Sequence, residues 1–149
     1  MNYINFKTDE NANEGNMILY KQILNKIYKD VCIPNNFYID HINFHISLNI
    51  ILFNNIYFTV DDDFKVIAFL IADEGTEQVM IAYLCVDEAY RNKGIGTELL
   101  KRFTSSLKGN TIVRAEVNNT SVFKYFLKHG FNFSGKSICG IYLNMDKKL

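Results

Sequence analysis

Proline is almost absent from this 149-residue chain, which has one, at position 34. Stretches rich in glycine and serine are also missing, and no segment of the sequence repeats. Linkers between domains are typically rich in these residues, so the sequence shows no point at which to divide the chain. A chain of this length can bury a core of its own. We therefore expect a single domain over residues 1–149.

Cysteine is also scarce. The three cysteines, Cys32, Cys85 and Cys139, are far apart and form no C-x-x-C pair. Disulfide frameworks use even sets of cysteines and zinc sites use close pairs, so we expect neither disulfides nor a metal. The chain starts without the basic and then hydrophobic segments of a signal peptide. Both features indicate a cytoplasmic protein.

An excess of charge of either sign is missing as well. The chain has 16 basic and 16 acidic side chains and a pI near 6.8, which argues against binding to nucleic acid. No apolar run approaches the roughly 18–20 residues that a membrane span needs, so we expect no membrane association. The hydrophobic fraction of 48% is too high for a disordered chain.

Apolar residues recur with the periods of strands and of amphipathic helices. The predicted strands are 3–6, 56–60, 66–72, 78–86, 111–117, 131–133 and 141–145, and the predicted helices are 16–31, 95–107 and 122–127. We expect Ser134 and Gly135 to join the last two strands, and Thr120 or Ser121 to cap the last helix. This order predicts an α/β (α+β) fold, a mixed sheet with helices packed on its faces.

Residues 37–53 fit both a strand and a helix, and the sequence leaves that segment open. It includes His41 and His45, which have the i, i+4 spacing of zinc ligands on a helix. The glutamate of the H-E-x-x-H pattern is missing, since Ile42 follows His41, and a half-exposed surface position explains both histidines.

One segment indicates a site for a phosphate group. A buried strand ends at Val86, a polar turn with Gly94 and Gly96 follows, and an amphipathic helix then begins. The first amides of a helix lack partners and bind anions, and glycine leaves them accessible. Arg91 and Lys93 add positive charge beside them. An ordinary glycine-rich turn is the alternative explanation.

The spacing of these glycines distinguishes between the known nucleotide-binding motifs. The G-x-G-x-x-G fingerprint fails because Leu99 occupies its third glycine position, and the P-loop pattern is absent. What remains, Arg91-x-x-Gly94-x-Gly96 after a strand, resembles the acyl-CoA-binding motif of the GNAT superfamily of N-acyltransferases. A second stretch, from Asn119 through a helix to Gly130-Phe131, resembles the later motif of that family. The resemblance covers roughly residues 56–145.

The resemblance implies a GNAT-like, mostly antiparallel sheet of about six to seven strands with helices on both faces. The fourth and fifth strands would splay apart, and the pantetheine arm of acetyl-CoA or another acyl-CoA would enter between them. The implied cofactor-binding residues are Leu84, Cys85, Val86, Arg91, Asn92, Lys93, Gly94, Ile95, Gly96, Thr97, Asn119 and Phe126. Dimers are common in the family, so a homodimer stays open.

The activity that the resemblance implies is transfer of an acyl group from CoA to a primary amine by direct attack. The family commonly has a tyrosine four residues before the later glycine, where it protonates the leaving thiolate. Phe126 stands there, and Tyr125 is turned from it by about 100° on a helix. A non-catalytic acyl-CoA-binding or regulatory module of the same fold is therefore the alternative.

The residues that move protons are not evident from the sequence. A carboxylate sometimes found early in the central strand aligns with Met80, and candidate bases are Asp40, His41 and Glu77. Cys85 has no evident histidine partner, which argues against a covalent mechanism. No catalytic residue is assigned, and the acceptor amine stays unidentified.

Overall fold

The structure of the chain, a computed structural model, describes residues 1–7, 14–37, 55–74, 78–138 and 140–149. The ambiguous segment 37–53 lies outside the described residues except for Phe37. The candidate bases Asp40, His41 and Glu77 lie outside them too.

The described elements follow the predicted order closely. They are β1 (Asn2–Lys7), α1 (Glu14–Ile27) with a π-helical turn (Tyr28–Cys32), β2 (Asn55–Val60), β3 (Val66–Glu74), β4 (Gln78–Val86), a 3-10 turn (Glu88–Tyr90), α2 (Ile95–Ser105), β5 (Ile112–Val117), α3 (Thr120–Lys128), β6 (Asn132–Lys136) and β7 (Leu143–Lys148).

The strands form one seven-stranded sheet in the order β1-β2-β3-β4-β5-β7-β6. Every neighbouring pair is antiparallel except β4 and β5, which are parallel. A parallel pair needs a crossover connection, and α2 supplies it between β4 and β5. The prediction of a mixed, mostly antiparallel sheet is confirmed.

The parallel pair separates part-way along its length. Residues Gln78 to Ile81 pair with Ile112 to Ala115, and the pairing ends there, although β4 continues to Val86. On the other side, β3 stays paired with β4 as far as Val86, with a bulge near Ile71. The second half of β4 therefore has a free edge towards β5, which is the splay that the resemblance implied between the fourth and fifth strands.

The two faces of the sheet bury two separate clusters of apolar side chains. On one face, Leu99 and Phe103 of α2 and Phe126 of α3 pack on residues of β3, β4, β5 and β7. On the other face, Tyr20 and Leu24 of α1 pack on residues of β2 and β3 and on Cys85 of β4. The helices thus cover both faces, as the resemblance implied.

Two local predictions were wrong. Ser134 and Gly135 do not join the last strands but lie within β6, where Gly135 (φ 142°) takes up a shift of register against β7. The strands connect further along the chain, where the Ser137 amide donates to the Tyr142 carbonyl at 2.9 Å. The cap of α3 is Asn119 rather than Thr120 or Ser121, because its side-chain oxygen accepts from the first amides of the helix.

Candidate acyl-CoA site

The connection from β4 to α2 is held in place by Asp87. Its amide donates to the Ile67 carbonyl on β3 at 2.7 Å, and its side chain accepts from the Ala89 amide. Lys65 lies 3.7 Å from its carboxylate. The end of β4 is therefore fixed to β3, while its other edge faces the splay.

The start of α2 presents backbone amides without partners. The first helical hydrogen bond joins the Glu98 amide to the Gly94 carbonyl at 3.0 Å. Among the residues that the structure describes, none accepts from the amides of residues 92–97. Asn92 and Gly94 have positive φ angles of 62° and 79°, which turn successive amides towards one side of the turn. Such an arrangement favours an anion.

Gly96 allows α2 to approach the end of β4. A Cβ at this position would lie 3.2 Å from Cγ2 of Val86 and 3.8 Å from the hydroxyl of Tyr125. A side chain here would therefore fill the space in front of the amides. No atom lies within 4 Å of the corresponding position at Gly94, where the backbone angle rather than crowding favours glycine.

The two basic side chains of the turn are both exposed. The Nε of Arg91 donates to the Val86 carbonyl at 2.9 Å, so the guanidinium lies against the free end of β4. The ammonium of Lys93 lies 5.3 Å from the centre of the Tyr90 ring. The turn therefore combines unpartnered amides with two cations, which fits the diphosphate of CoA.

Cys85 lies at the same strand end, and it is 8% exposed. Burial raises the pKa of its thiol to about 11, against a smaller lowering effect of Arg91. A thiol with this pKa stays protonated near neutral pH, which disfavours it as a nucleophile. The backbone of Cys85 faces β3, as that of Asp87 does two residues later, so Leu84 and Val86 present the backbone groups of the free edge.

The side chains of Tyr125 and Phe126 point in different directions. Phe126 is 4% exposed, and its ring packs against Phe131 with the ring centres 4.9 Å apart. Tyr125 instead points to the start of α2, where its hydroxyl lies 3.4 Å from Oγ1 of Thr97. The sequence showed that the two side chains diverge, but not which of them reaches the turn. Phe126 occupies the core.

A histidine completes this contact between α3 and α2. Nε2 of His129 lies 3.4 Å from Oγ1 of Thr97, and its ring centre lies 4.5 Å from that of Tyr125. Burial lowers the pKa of His129, and the nearby ammonium groups of Lys128 and Lys147 lower it further. Sequence reasoning missed His129, and only its place directly before Gly130 at the helix end could have drawn attention to it.

A cavity of about 390 Å³ lies where β5 ends and α3 begins. It is lined by Val117, Asn118, Asn119, Thr120, Phe123, Ile141 and Leu143. Asn119, a predicted cofactor contact, has its side-chain oxygen 2.8 Å from the Ser121 amide, so it also caps α3. The cavity adjoins the splay because Val117 lies beyond the last residue of β5 that pairs with β4.

The site therefore has three parts: the free edge of β4, the amides that begin α2, and the cavity at the end of β5. The predicted residues from Leu84 to Thr97 supply the first two, and Asn119 lies at the third. An extended chain that ends in a diphosphate fits the first two parts, since one offers backbone partners and the other offers an anion site.

Comparison with known proteins identifies the family. The family model described as "Acetyltransferase (GNAT) domain" matches residues 54–133 of the chain, which is more than half of its length. The chain belongs to the GNAT acetyltransferase family. A comparison of this GNAT chain with curated proteins found no match.

Solved structures share the fold of this GNAT chain at low sequence identity. Escherichia coli ElaA has a TM-score of 0.69 and 15% identity, with 99% of this chain and 100% of that chain covered. The PaiA N-acetyltransferase of Thermoplasma acidophilum, solved in complex with coenzyme A, has a TM-score of 0.58 and 20% identity, with full coverage of both chains. The ribosomal-protein-S18-alanine N-acetyltransferase of E. coli has a TM-score of 0.61 and 14% identity, with 97% and 90% covered.

The described residues show neither of two other kinds of site. In the described ranges, no group of three or more histidine, cysteine, aspartate or glutamate side chains is placed to hold a metal ion. None of the described helices has the length and hydropathy of a membrane span.

Proposed function

We propose that this protein is an N-acyltransferase that moves an acetyl or related acyl group from acyl-CoA to a primary amine. One observation carries the proposal: the pairing of β4 with β5 stops at Ile81, and the unpaired edge runs on to Val86, beside a helix start whose amides have no partner among the described residues. A free strand edge and an anion site thus lie next to each other. The thioester of bound acyl-CoA would supply the activated acyl carbon.

The residues of the turn would hold the diphosphate. The amides from Asn92 to Thr97 are the donors, and the guanidinium of Arg91 adds charge beside them. Of the predicted residues Leu84, Cys85 and Val86, Leu84 and Val86 have the backbone groups that would hydrogen-bond the pantetheine arm along the free edge of β4. A donor on this edge would also stabilise negative charge that develops on the acyl oxygen, a contact usually worth a few kcal/mol.

The hydroxyl of Tyr125 would lie at the diphosphate end of bound CoA. It lies at the start of α2, 3.4 Å from Oγ1 of Thr97, and its ring is half-buried between α2 and α3. Burial raises the pKa of Tyr125, although the hydrogen bond with Thr97 opposes this. The phenol therefore keeps its proton near neutral pH and would donate a hydrogen bond to a phosphate oxygen. The proton for the leaving thiolate would come from solvent.

The test measures binding and turnover separately. Calorimetry compares CoA with NAD and ATP, and we expect binding of CoA alone. Release of free thiol from acetyl-CoA is then followed across a panel of primary amines, and we expect it to depend on the amine. Absence of CoA binding would refute the proposal.

The second candidate is the non-catalytic acyl-CoA-binding or regulatory module. The burial of Phe126 in the core favours it, because the hydroxyl that the family commonly places there is missing. CoA binding without thiol release on any amine would identify this module and would reject the acyltransferase.

We also propose a cytoplasmic location. Cys32 and Cys85 are both free and buried. Free thiols are maintained in reducing compartments. Fractionation of the producing cells, with the protein detected by antibody, tests this location.

A further inference from the structure

The face of β5 and β7 that points away from α2 and α3 is polar. On β5, Val113, Ala115 and Val117 are buried under these helices, so Arg114 and Glu116 point to the opposite face. That is the face on which α1 packs further along the sheet. Arg114 is partly buried on this face, and a charged side chain in such a place is stabilised by a partner.

The two carboxylates of this polar face differ in their contacts: Asp146 is hydrogen-bonded to Arg114, whereas Glu116 has only a longer-range electrostatic interaction with that guanidinium. Arg114 donates to both carboxylate oxygens of Asp146, at 2.7 and 2.9 Å. This forked pair satisfies Asp146 and holds the pKa of its carboxyl below the ordinary value. Glu116 is exposed, and no described cation lies within 4.0 Å of its carboxylate.

Glu116 also has a particular place in the sheet. Ala115 is the last residue of β5 that pairs with β4, so Glu116 is the first residue at the opening of the splay. Across the opening, Tyr83 of β4 points to the same face, since it packs with the cluster around α1. The Tyr142 phenol, directly before β7, lies close enough to contribute to the raised pKa of Tyr83, whose main cause is burial. A carboxylate and two phenols thus belong to strand positions on one face of the sheet near the opening.

We propose that Glu116 binds the acceptor amine as its ammonium ion at the opening of the splay and removes its proton. The proposal rests on the acyltransferase function proposed above. An ammonium has three donors, and the Glu116 carboxylate and the Tyr83 and Tyr142 hydroxyl oxygens are acceptors on one face. The thioester would lie between the strands, and the amine would reach it from this face, opposite α2 and α3.

The step balances as an ordinary acyl transfer. The ammonium gives one proton to the Glu116 carboxylate, and the nitrogen lone pair forms the new bond to the acyl carbon. The carbon–sulfur bond breaks, and its electron pair leaves on sulfur, which takes a proton from solvent. Glu116 and the new amide release the two excess protons of the ammonium to solvent. A proton acceptor in such a position usually contributes about 10²- to 10⁴-fold in rate.

The unpaired carboxylate also selects a class of amine. A carboxylate next to the reacting nitrogen would be repelled by Glu116, whereas a neutral amide there would not. The site therefore favours amines without an adjacent carboxylate. Norvaline and norvaline amide form a matched pair of probes, and we expect the amide to be acetylated at least about tenfold faster than the acid at equal concentration.

The test compares Glu116→Gln with the wild type, using the amine of the panel that the wild type acetylates fastest. We expect kcat/KM to fall about a hundredfold at neutral pH, with CoA affinity and thermal midpoint unchanged. The deficit shrinks as the pH rises towards the pKa of the amine itself, because the amine then arrives without its proton. Asp62→Asn, which removes a fully exposed carboxylate in the β2–β3 turn, is the matched control and keeps the wild-type kcat/KM.

The outcomes separate the two proposals. If the wild type releases no thiol with any amine, the acyltransferase function fails, and the role of Glu116 fails with it. If the wild type is active and Glu116→Gln keeps kcat/KM within about threefold, only the role of Glu116 is overturned. A kcat/KM deficit of equal size at every pH would also overturn it, because loss of a proton acceptor predicts a deficit that shrinks as the pH rises.

Discussion

The hydroxyl of Tyr125 on α3 lies 3.4 Å from that of Thr97 on α2, at the end of the helix where the amides have no partner among the described residues. If the diphosphate binds there, Tyr125→Phe removes a hydrogen-bond donor to it and keeps the ring. We expect CoA affinity to fall about tenfold, with kcat for acetyl transfer changed by less than about threefold. Calorimetry and steady-state kinetics measure these effects, and an unchanged CoA affinity would reject the role.

Placing a tyrosine at position 126 would not recreate the proton donor that the family commonly has there. Phe126 is 4% exposed and packs against Phe131, so the new hydroxyl would be buried in the core. We expect Phe126→Tyr to lower the free energy of unfolding by about 1–3 kcal/mol without raising kcat. Phe133→Tyr is the control, because that ring is 54% exposed and should tolerate a hydroxyl. Denaturant unfolding measures both, and a faster Phe126→Tyr enzyme would contradict the placement of this ring.

Gly96 tests the position of the CoA site. A Cβ there lies 3.2 Å from Val86, and the larger Gly96→Val side chain would occupy the space before the amides. We expect CoA affinity to fall at least about tenfold, or roughly 1.4 kcal/mol, with the far-ultraviolet circular dichroism retained. Gly109→Val is the matched control, since no atom lies within 4 Å of its Cβ position. Equal CoA affinity in both variants would show that the diphosphate binds elsewhere.

The Arg114–Asp146 pair predicts how stability depends on pH. The hydrogen bond from Arg114 lowers the pKa of Asp146 below 3.8, more than burial raises it. The pair therefore stabilises the fold above about pH 4, and this contribution is lost as the pH falls through the lowered pKa. Asp146→Asn should cost about 1–2 kcal/mol at pH 7, and the cost should shrink as the pH falls below about 4. Urea unfolding at several pH values measures this, and a constant difference would be inconsistent with the pair.

The buried cysteines should be slow to react. Burial raises the pKa of Cys32 to about 12 and that of Cys85 to about 11. We therefore expect iodoacetamide to leave both unmodified at pH 7.5 in the folded protein and to label both after unfolding in urea. Peptide mass spectrometry reads out each site. Rapid labelling of Cys85 in the folded protein would contradict this prediction and favour a covalent mechanism.

Sequence patterns predicted most of the elements because each pattern reflects a local requirement. The apolar run from Gln78 to Val86 is typical of a strand covered on both faces, and β4 has these bounds. The Ser134-Gly135 prediction failed because glycine is suited both to a turn and to a bulge, and pairing with β7 decided between them. The ambiguous segment 37–53 lies mostly outside the described residues, so its two alternatives stay predictions.

The sequence by itself determined the family, the strand–turn–helix unit around Gly94 and Gly96, and the elements that surround it. These features depend on residues close together in the chain, through side-chain periodicity and backbone conformation. The tertiary structure decided that Tyr125 rather than Phe126 reaches Thr97, and that Glu116 stands at the opening between β4 and β5. Which side chains meet across helices and strands depends on packing and register, which join residues far apart in the sequence.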